Sequence, residues 1–297
     1  MSWQATLFCL ALRWTVKRAA AGPLDVARAR AKIGTPGRRA LRVPAGVIVS
    51  TGTVNGRALE RIDRADQRDD RVILYLHGGG YIFGSPQTHR QLTIGMAIHG
   101  NAPVVALDYR LAPEHVLPAA LDDAVAAYRW LAERNPTRRI VLAGDSAGGG
   151  LALATAMAVR DHTDLAAPVA LVLFSPWTDL GGTGGSNVAN SDRCAMFTAD
   201  IIRQVGRLYL GPAAADDPRG SPLFGDMHHL PPMQIFASTD EVLLDDSRRL
   251  AAKAQDQGVT VDLHIVPGVP HIWPLWARIL PEGQASLAEV KRFLAAI

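Results

Sequence analysis

Cysteine is nearly missing from this 297-residue chain, which holds only Cys9 and Cys194. Two thiols argue against a disulfide framework, are too few for a cysteine-based metal site, and fit a reducing, cytoplasmic compartment. An excess of one charge is also lacking, since 31 Lys+Arg against 28 Asp+Glu leave a formal +3. Without a long basic block, no nucleic-acid partner is expected; the densest basic runs, Arg28–Lys32 and Gly37–Arg39, read as a solvated helix face and a loop. No apolar run reaches the roughly 20 residues of a membrane-spanning helix. The two longest are Ala5–Leu12 and Leu165–Pro176, and Arg13, Lys17 and Arg18 follow the first instead of preceding it, which is the wrong side for a signal peptide. Stable membrane insertion is therefore not expected. Low-complexity tracts and fixed-period repeats are absent too, and a composition of 48% hydrophobic and 20% charged residues suits a large packed core.

What is present is an alternation. Val47–Thr51 and Arg57–Ile62 flank Asn55-Gly56, a hairpin signal, and Ala40–Val43 is a further strand-like piece. Then come short, nearly continuous apolar runs at 72–76, 104–107, 140–143, 169–174, 234–237 and 263–266, the pattern of strands buried on both faces of a parallel sheet. Helical spacing fills 119–134, 147–160, 244–257 and 284–297. The expected class is α/β: a mostly parallel, twisted sheet with helices on both faces and functional residues beyond the strands' carboxyl ends. Residues 1–38, which read as helical, and 180–225, rich in Gly, Ser, Asp and Pro around a helix at 199–210, break the alternation and are expected to cap a catalytic domain at 39–297.

The strongest local signal is Gly144-Asp145-Ser146-Ala147-Gly148, between an apolar strand and a helix. A serine on such a sharp turn needs glycine neighbours, and its oxygen projects above the sheet at a helix N-terminus. His77-Gly78-Gly79-Gly80-Tyr81 also follows a strand and lets backbone N–H groups converge on one point, as stabilising an oxyanion requires. Neither G-x-x-x-x-G-K-[S/T] nor G-x-G-x-x-G is present, which removes the phosphate-loop reading. A nucleophilic serine needs a histidine base and an orienting carboxylate, in the order Ser, acid, His. His271 follows Pro267-Gly268-Val269-Pro270 after the last strand, whereas His264 lies within that strand and the other histidines precede the expected acid. After strand 234–237, spacing leaves Asp240 and Glu241 both open; Asp245 and Asp246 read as the start of the next helix.

Taken together, His77–Gly80, Asp108-Tyr109-Arg110-Leu111-Ala112-Pro113-Glu114 and Gly144–Gly149 resemble the bacterial hormone-sensitive-lipase family of carboxylesterases, from about residue 38 onward. The resemblance implies an α/β-hydrolase fold with a helical cap, and a serine carboxylesterase that cleaves short- to medium-chain acyl esters without metal or other cofactor. It implies Ser146 as nucleophile, His271 as base, the N–H groups of Gly79, Gly80 and Ala147 as oxyanion hole, and His77 and Gly78 as loop-shaping residues. The family's Asp-Pro-Leu-x-Asp-Glu segment, set on Glu241–Asp246, puts Glu241 at the acid position, a departure from the commoner Asp, with Asp240 as the alternative. Tyr81 stands where the family usually has Trp or Phe, and Asp108, Tyr109 and Arg110 are expected to support the loop.

Two rivals use the same scaffold: a lactone, carbamate or amide hydrolase on the same triad, and a non-catalytic ligand-binding protein. The face formed by Trp3, Leu7, Leu10 and Trp14 is expected to pack over the site, with weak membrane-surface contact as its other reading. The expected partner is a small-molecule ester, and homo-oligomerisation is left open.

Overall fold

The structure, a computed structural model, describes residues 1–18, 22, 24–33, 42–134 and 137–297. The expected boundary at 38/39, the loop 37–39 and the first two positions of strand piece 40–43 lie outside them; Arg42 and Val43 are not in a strand. The chain opens with α1 (Trp3–Leu12), continues through a π-helical turn at Arg13–Lys17, and forms α2 (Val26–Ile33). A hairpin follows, β1 (Val47–Val54) and β2 (Arg57–Arg64), joined by Asn55 and Gly56 at φ 46° and 74°. Asn-Gly tolerates two left-handed residues in succession, and that turn matches the strands' twist. Then come β3 (Arg71–Leu76), α3 (Pro86–Gly100), β4 (Val104–Leu107), α4 (Ala119–Arg134), β5 (Arg139–Asp145), α5 (Ala147–Arg160) and β6 (Ala170–Phe174). After α6 (Gly185–Ala189) and α7 (Ala199–Leu210), the chain returns to β7 (Met233–Ser238), α8 (Leu244–Asp256), β8 (Val261–Val266) and α9 (Pro281–Ala295).

The strands form one eight-stranded sheet in the order β1-β2-β4-β3-β5-β6-β7-β8, in which β2 runs against its neighbours and the other pairs are parallel. This is the α/β-hydrolase architecture. Apolar runs suit its central strands because both faces are covered: Val72, Leu74 and Leu76 of β3 enter one core, and Ile73 and Tyr75 enter the other. The first core is closed by Leu121, Leu131, Leu151 and Leu250 from α4, α5 and α8, the second by Leu92, Met96, Leu287 and Val290 from α3 and α9. Burying such side chains contributes about 1.5–3 kcal/mol each, before chain entropy is set against it. In the centre β3 and β5 are neighbours with Leu76 opposite Gly144, so the loops leaving them meet.

Helix α3 is not among the segments expected from helical spacing. Leu92 through Ala97 are all buried, the polar residues Gln87–Gln91 crowd the first half, and the exposed position in the second half is the apolar Ile98, so no polar stripe runs the length of the helix to reveal the period. Its signals are local: a Ser85–Thr88 capping box, Pro86 in the first turn, and Asn101 left-handed at the end.

The N-terminal helix corrects one expectation. Ala5 and Leu12 are buried, while Trp3, Leu7, Leu10 and Trp14 are exposed, so the face expected to pack over the site points to solvent. The helix is apolar on both sides, and the side carrying Ala5 approaches the protein more closely.

Candidate active site

Ser146 sits between β5 and α5 at φ 53°, ψ −121°, a conformation that costs a non-glycine residue on the order of 1–3 kcal/mol. Surrounding hydrogen bonds hold it there: its N–H donates to the Phe174 carbonyl (2.8 Å), and its carbonyl accepts from Gly149, Gly150 and Trp177. The flanking glycines are steric necessities. A Cβ on Gly144 would fall 2.2 Å from the Gly148 carbonyl oxygen, and one on Gly148 would fall 2.0 Å from that of Leu76.

Beside it, the loop 77–84 leaves β3. Gly79 stands at φ 118°, where a Cβ would meet the Phe83 carbonyl oxygen at 2.1 Å, and Gly80 at φ 62°. The Gly79 carbonyl accepts from Ile82 and Phe83, which folds the loop back while the Gly79 and Gly80 N–H groups take no part in those bonds. Asp145, fully buried beside Ser146, ties loop and turn together: its Oδ1 accepts from the Tyr75 hydroxyl (2.6 Å) and the Gly78 N–H (3.0 Å). His89 of α3 approaches its Oδ2 at 3.3 Å, an ion-pair distance outside hydrogen-bond geometry. Burial opposes charge on both partners, but their mutual attraction prevails, lowering the pKa of Asp145 and raising that of His89. His77 is the opposite case: burial, then the nearby His89, bring its pKa down to about 3, so it is neutral at ordinary pH. Its Nδ1–H donates to the Gly78 carbonyl (2.8 Å), and its ring stacks on Tyr109, whose hydroxyl donates to the His77 carbonyl (2.6 Å).

At the carboxyl ends of the same sheet, the loops after β7 and β8 bring Glu241 and His271 together. The His271 Nδ1–H donates to Glu241 Oε2 at 2.5 Å, and both side chains are almost wholly buried, at 1–2% exposure. Glu241 Oε1 accepts from the Ser238 N–H (2.7 Å), and the Glu241 carbonyl accepts from Asn190 (3.0 Å). Asp240 turns away: 28% exposed, it meets Arg193 at 2.7 Å and Thr239 at 2.9 Å. The histidine loop is pinned at Val269, whose carbonyl accepts from Ser238 Oγ, and at Ile272, whose N–H donates to Ser175 Oγ. Phe197 meets the His271 ring edge-on at 5.4 Å. The second imidazole nitrogen, Nε2, is buried without a hydrogen-bond partner among the described residues.

Residues 73–275 match the family described as alpha/beta hydrolase fold. An acetyl-hydrolase of Streptomyces hygroscopicus is 38% identical over 287 residues, 95% of this chain and 92% of that one. The carboxylesterase/phospholipase LipF of Mycobacterium tuberculosis is 37% identical over 238 residues, 78% of this chain but only 63% of its own length, so the chain spans under two thirds of that relative. A solved esterase of the bacterial hormone-sensitive lipase family superposes with a TM-score of 0.89 at 37% identity, covering 99% of this chain and 98% of the other. The chain is a hormone-sensitive-lipase-family carboxylesterase.

In this esterase several supporting residues went unread in the sequence. Asp145 occupies a variable position of its motif, and nothing in the local pattern marks it as the tie to Tyr75 and Gly78. Asn190 lies 51 residues from Glu241 in sequence. Arg30 of α2 reaches the glycine loop from the N-terminal segment, donating to the Ile82 carbonyl (2.7 Å), the Ala112 carbonyl (2.8 Å) and both oxygens of Glu114. Of Asp108, Tyr109 and Arg110, Tyr109 bonds the loop through the His77 carbonyl, whereas the Asp108 N–H donates to the Ala58 carbonyl and the Arg110 guanidinium pairs with Asp123. Tyr81 stacks on Tyr209 of α7 at 3.7 Å. Asp245 and Asp246 open α8 as their acidity suggested, but Asp246 is fully buried and accepts from the Thr178 and Asp179 N–H groups. Among the described residues no helix is long and apolar enough to cross a membrane.

Proposed function

We propose that the esterase cleaves short- to medium-chain acyl esters by two-step acyl transfer at Ser146. The serine oxygen attacks the ester carbonyl while His271 Nε2 takes its proton, and the resulting oxyanion is held by the N–H groups of Gly79, Gly80 and Ala147. His271 then passes that proton to the departing alcohol. Water, deprotonated by the same nitrogen, attacks the acyl-enzyme, releasing the acid and restoring Ser146. Glu241 holds the imidazole in the Nδ1–H tautomer and stabilises it when charged. Each oxyanion donor contributes about 2.7–4 kcal/mol in serine hydrolases, so the glycine loop bears on rate as well as shape.

The observation that carries this reading is the state of His271. Buried polar atoms are almost always hydrogen-bonded, yet its Nε2 is buried and unpartnered while Nδ1 is engaged by Glu241. Such a nitrogen suits a base that exchanges protons with a serine and a substrate. Segments 1–38 and 180–225 act in this reading as caps, supported by the contacts of Leu12 with Ala195 and Met196 and of Phe197 with His271. The unpaired thiols fit a cytoplasmic enzyme.

A panel of p-nitrophenyl esters from acetate to palmitate tests the reading, with kcat/KM expected to peak among the shorter chains. Ser146→Ala should lose both hydrolysis and fluorophosphonate labelling while keeping its fold; labelling that persists in this variant would refute the nucleophile assignment. Anilides or lactones cleaved faster than every ester would shift the function to the related hydrolase class.

A further inference from the structure

Helix α1 carries two apolar stripes, and only one has a partner. Ala5, Phe8, Cys9 and Leu12 face the protein: Ala5 and Leu12 are buried, the Phe8 ring lies 5.0 Å from that of Trp276, and Cys9 Sγ is 3.7 Å from the Gly268 carbonyl. Trp3, Leu7, Leu10 and Trp14, spaced i, i+4, i+7 and i+11, share the opposite side and are 70%, 57%, 49% and 69% exposed. A surface helix ordinarily turns a polar face to water, and a contiguous exposed apolar stripe marks a binding surface.

The charge around the stripe narrows the occupant. Before Asp25 the chain has Arg13, Lys17 and Arg18 and no acidic residue of its own; the fold adds Glu282, whose carboxylate is taken up by the Ser2 N–H and hydroxyl at the start of the helix, at the end away from these cations. The first two are held in place at the stripe's end: Arg13 donates to the Arg193 carbonyl (2.6 Å), and the Lys17 ammonium to the carbonyls of Ser191, Asp192 and Cys194. Arg18 lies over the Trp14 ring at 5.6 Å. A second copy pairing through this face would meet the same cations and find no carboxylate in the helix to answer them. Phosphate groups answer them, and tryptophans at both ends of an apolar stripe suit the headgroup level of a bilayer.

We propose that α1 and its π-helical extension dock the esterase on an anionic phospholipid surface, with the Trp3–Leu7–Leu10–Trp14 stripe in the acyl boundary, Arg18 and the remaining Arg13 donors at the phosphates, and Lys17, whose three donors are taken by carbonyls, fixing the end of the helix to the protein. The inner side of the same helix touches the histidine loop. A Cβ on Gly268 would fall 2.2 Å from Met1 Sδ, Phe8 packs on Trp276, and Leu12 joins Ala195 and Met196 beside Phe197, the ring that meets His271. Docking therefore brings the loop that carries His271 to the interface where lipophilic esters partition. That consequence rests on the proposed catalytic reading; the docking does not.

Sedimentation of the full chain with phosphatidylglycerol vesicles and with phosphatidylcholine vesicles tests it, with p-nitrophenyl acetate hydrolysis measured in parallel. The wild type should bind the anionic vesicles more tightly, and added salt should weaken that binding. Leu7→Asp and Trp3→Ser should each reduce partitioning at least about tenfold, and Arg18→Glu should reduce it on anionic vesicles alone. Hydrolysis of the soluble acetate should stay unchanged in all three. Absence of sedimentation, or equal sedimentation by wild type and variants, would overturn the proposal, as would a concentration-dependent dimer in light scattering that Leu7→Asp dissolves. Vesicle binding requires no turnover, so a dead enzyme that docks and an active one that does not are told apart.

Discussion

The two sides of the candidate site are built by different means. On one side, the turn at Ser146 and the loop 77–84 owe their shape to backbone sterics: a Cβ on Gly79, Gly84, Gly144 or Gly148 would strike a carbonyl oxygen, and the strained Ser146 is held by main-chain bonds. On the other, Glu241 and His271 ride on loops held by side chains from distant segments, Asn190, Ser175 and Ser238. Backbone-built geometry survives changes around it and fails when a glycine is filled. Side-chain-built geometry fails one hydrogen bond at a time.

The adjacent carboxylates of the second side offer the largest test. Glu241→Gln keeps the shape of the acid but removes the charge facing His271 Nδ1. It should lower kcat at least about 100-fold, toward the roughly 10⁴-fold cost of such a change in other triads. Asp240→Asn breaks only a half-exposed bond to Arg193 and should stay within about twofold of wild type. Both are read by steady-state kinetics on proteins shown folded by circular dichroism. A crippled Asp240→Asn beside a normal Glu241→Gln would reverse the assignment.

The first side is tested by Gly79→Ala. A methyl at φ 118°, aimed at the Phe83 carbonyl, must deform the loop, and on the proposed reading kcat should fall about 10- to 100-fold, since displacing one oxyanion donor costs up to the order of 10²–10³. KM should change little, because the loss concerns charge that develops in the transition state. If Gly79→Ala left kcat intact, the loop would not be the rigid half of the site.

Arg30→Ala sharpens the same point more gently. It removes the guanidinium that holds the Ile82 and Ala112 carbonyls and Glu114 from outside the loop. Because the glycine geometry fixes the loop from within, kcat/KM should drop only about two- to fivefold. A loss as large as that of Gly79→Ala would show that α2, not the backbone, shapes this side.

The smallest effect concerns stability beneath the second side. Burial, opposed by the Thr178 N–H and aided by the Asp179 carboxylate, pushes Asp246 up to about 8. The folded protein thus holds a proton that the unfolded chain, with an ordinary carboxyl, has released. This contribution is fully present below about pH 4 and is lost as pH rises toward about 8. Thermal melts should show Tm falling across that window and a flatter profile in Asp246→Asn, with ester hydrolysis at fixed pH nearly unchanged. A profile identical to wild type would mean that Asp246 is ionised throughout.

The sequence by itself determined the α/β alternation, the Asn55-Gly56 hairpin, the elbow at Ser146 and the glycine loop, because each depends on local backbone constraints that residue types announce. It singled out His271 by its place after the last strand. Its spacing left Asp240 and Glu241 both open, and the family resemblance alone favoured Glu241, since neighbouring residues on a turn point in different directions and only the loop's path, fixed by Ser238, Asn190 and Val269, decides which carboxylate meets the imidazole. Tertiary structure alone revealed α3, whose polar residues crowd its first half and whose one exposed position in the second half is the apolar Ile98, and Asp145 and Arg30, whose partners lie far along the chain. It also decided which face of α1 the protein covers: both faces are apolar, so the helix's own pattern states no preference, and the choice falls to the surface it packs against.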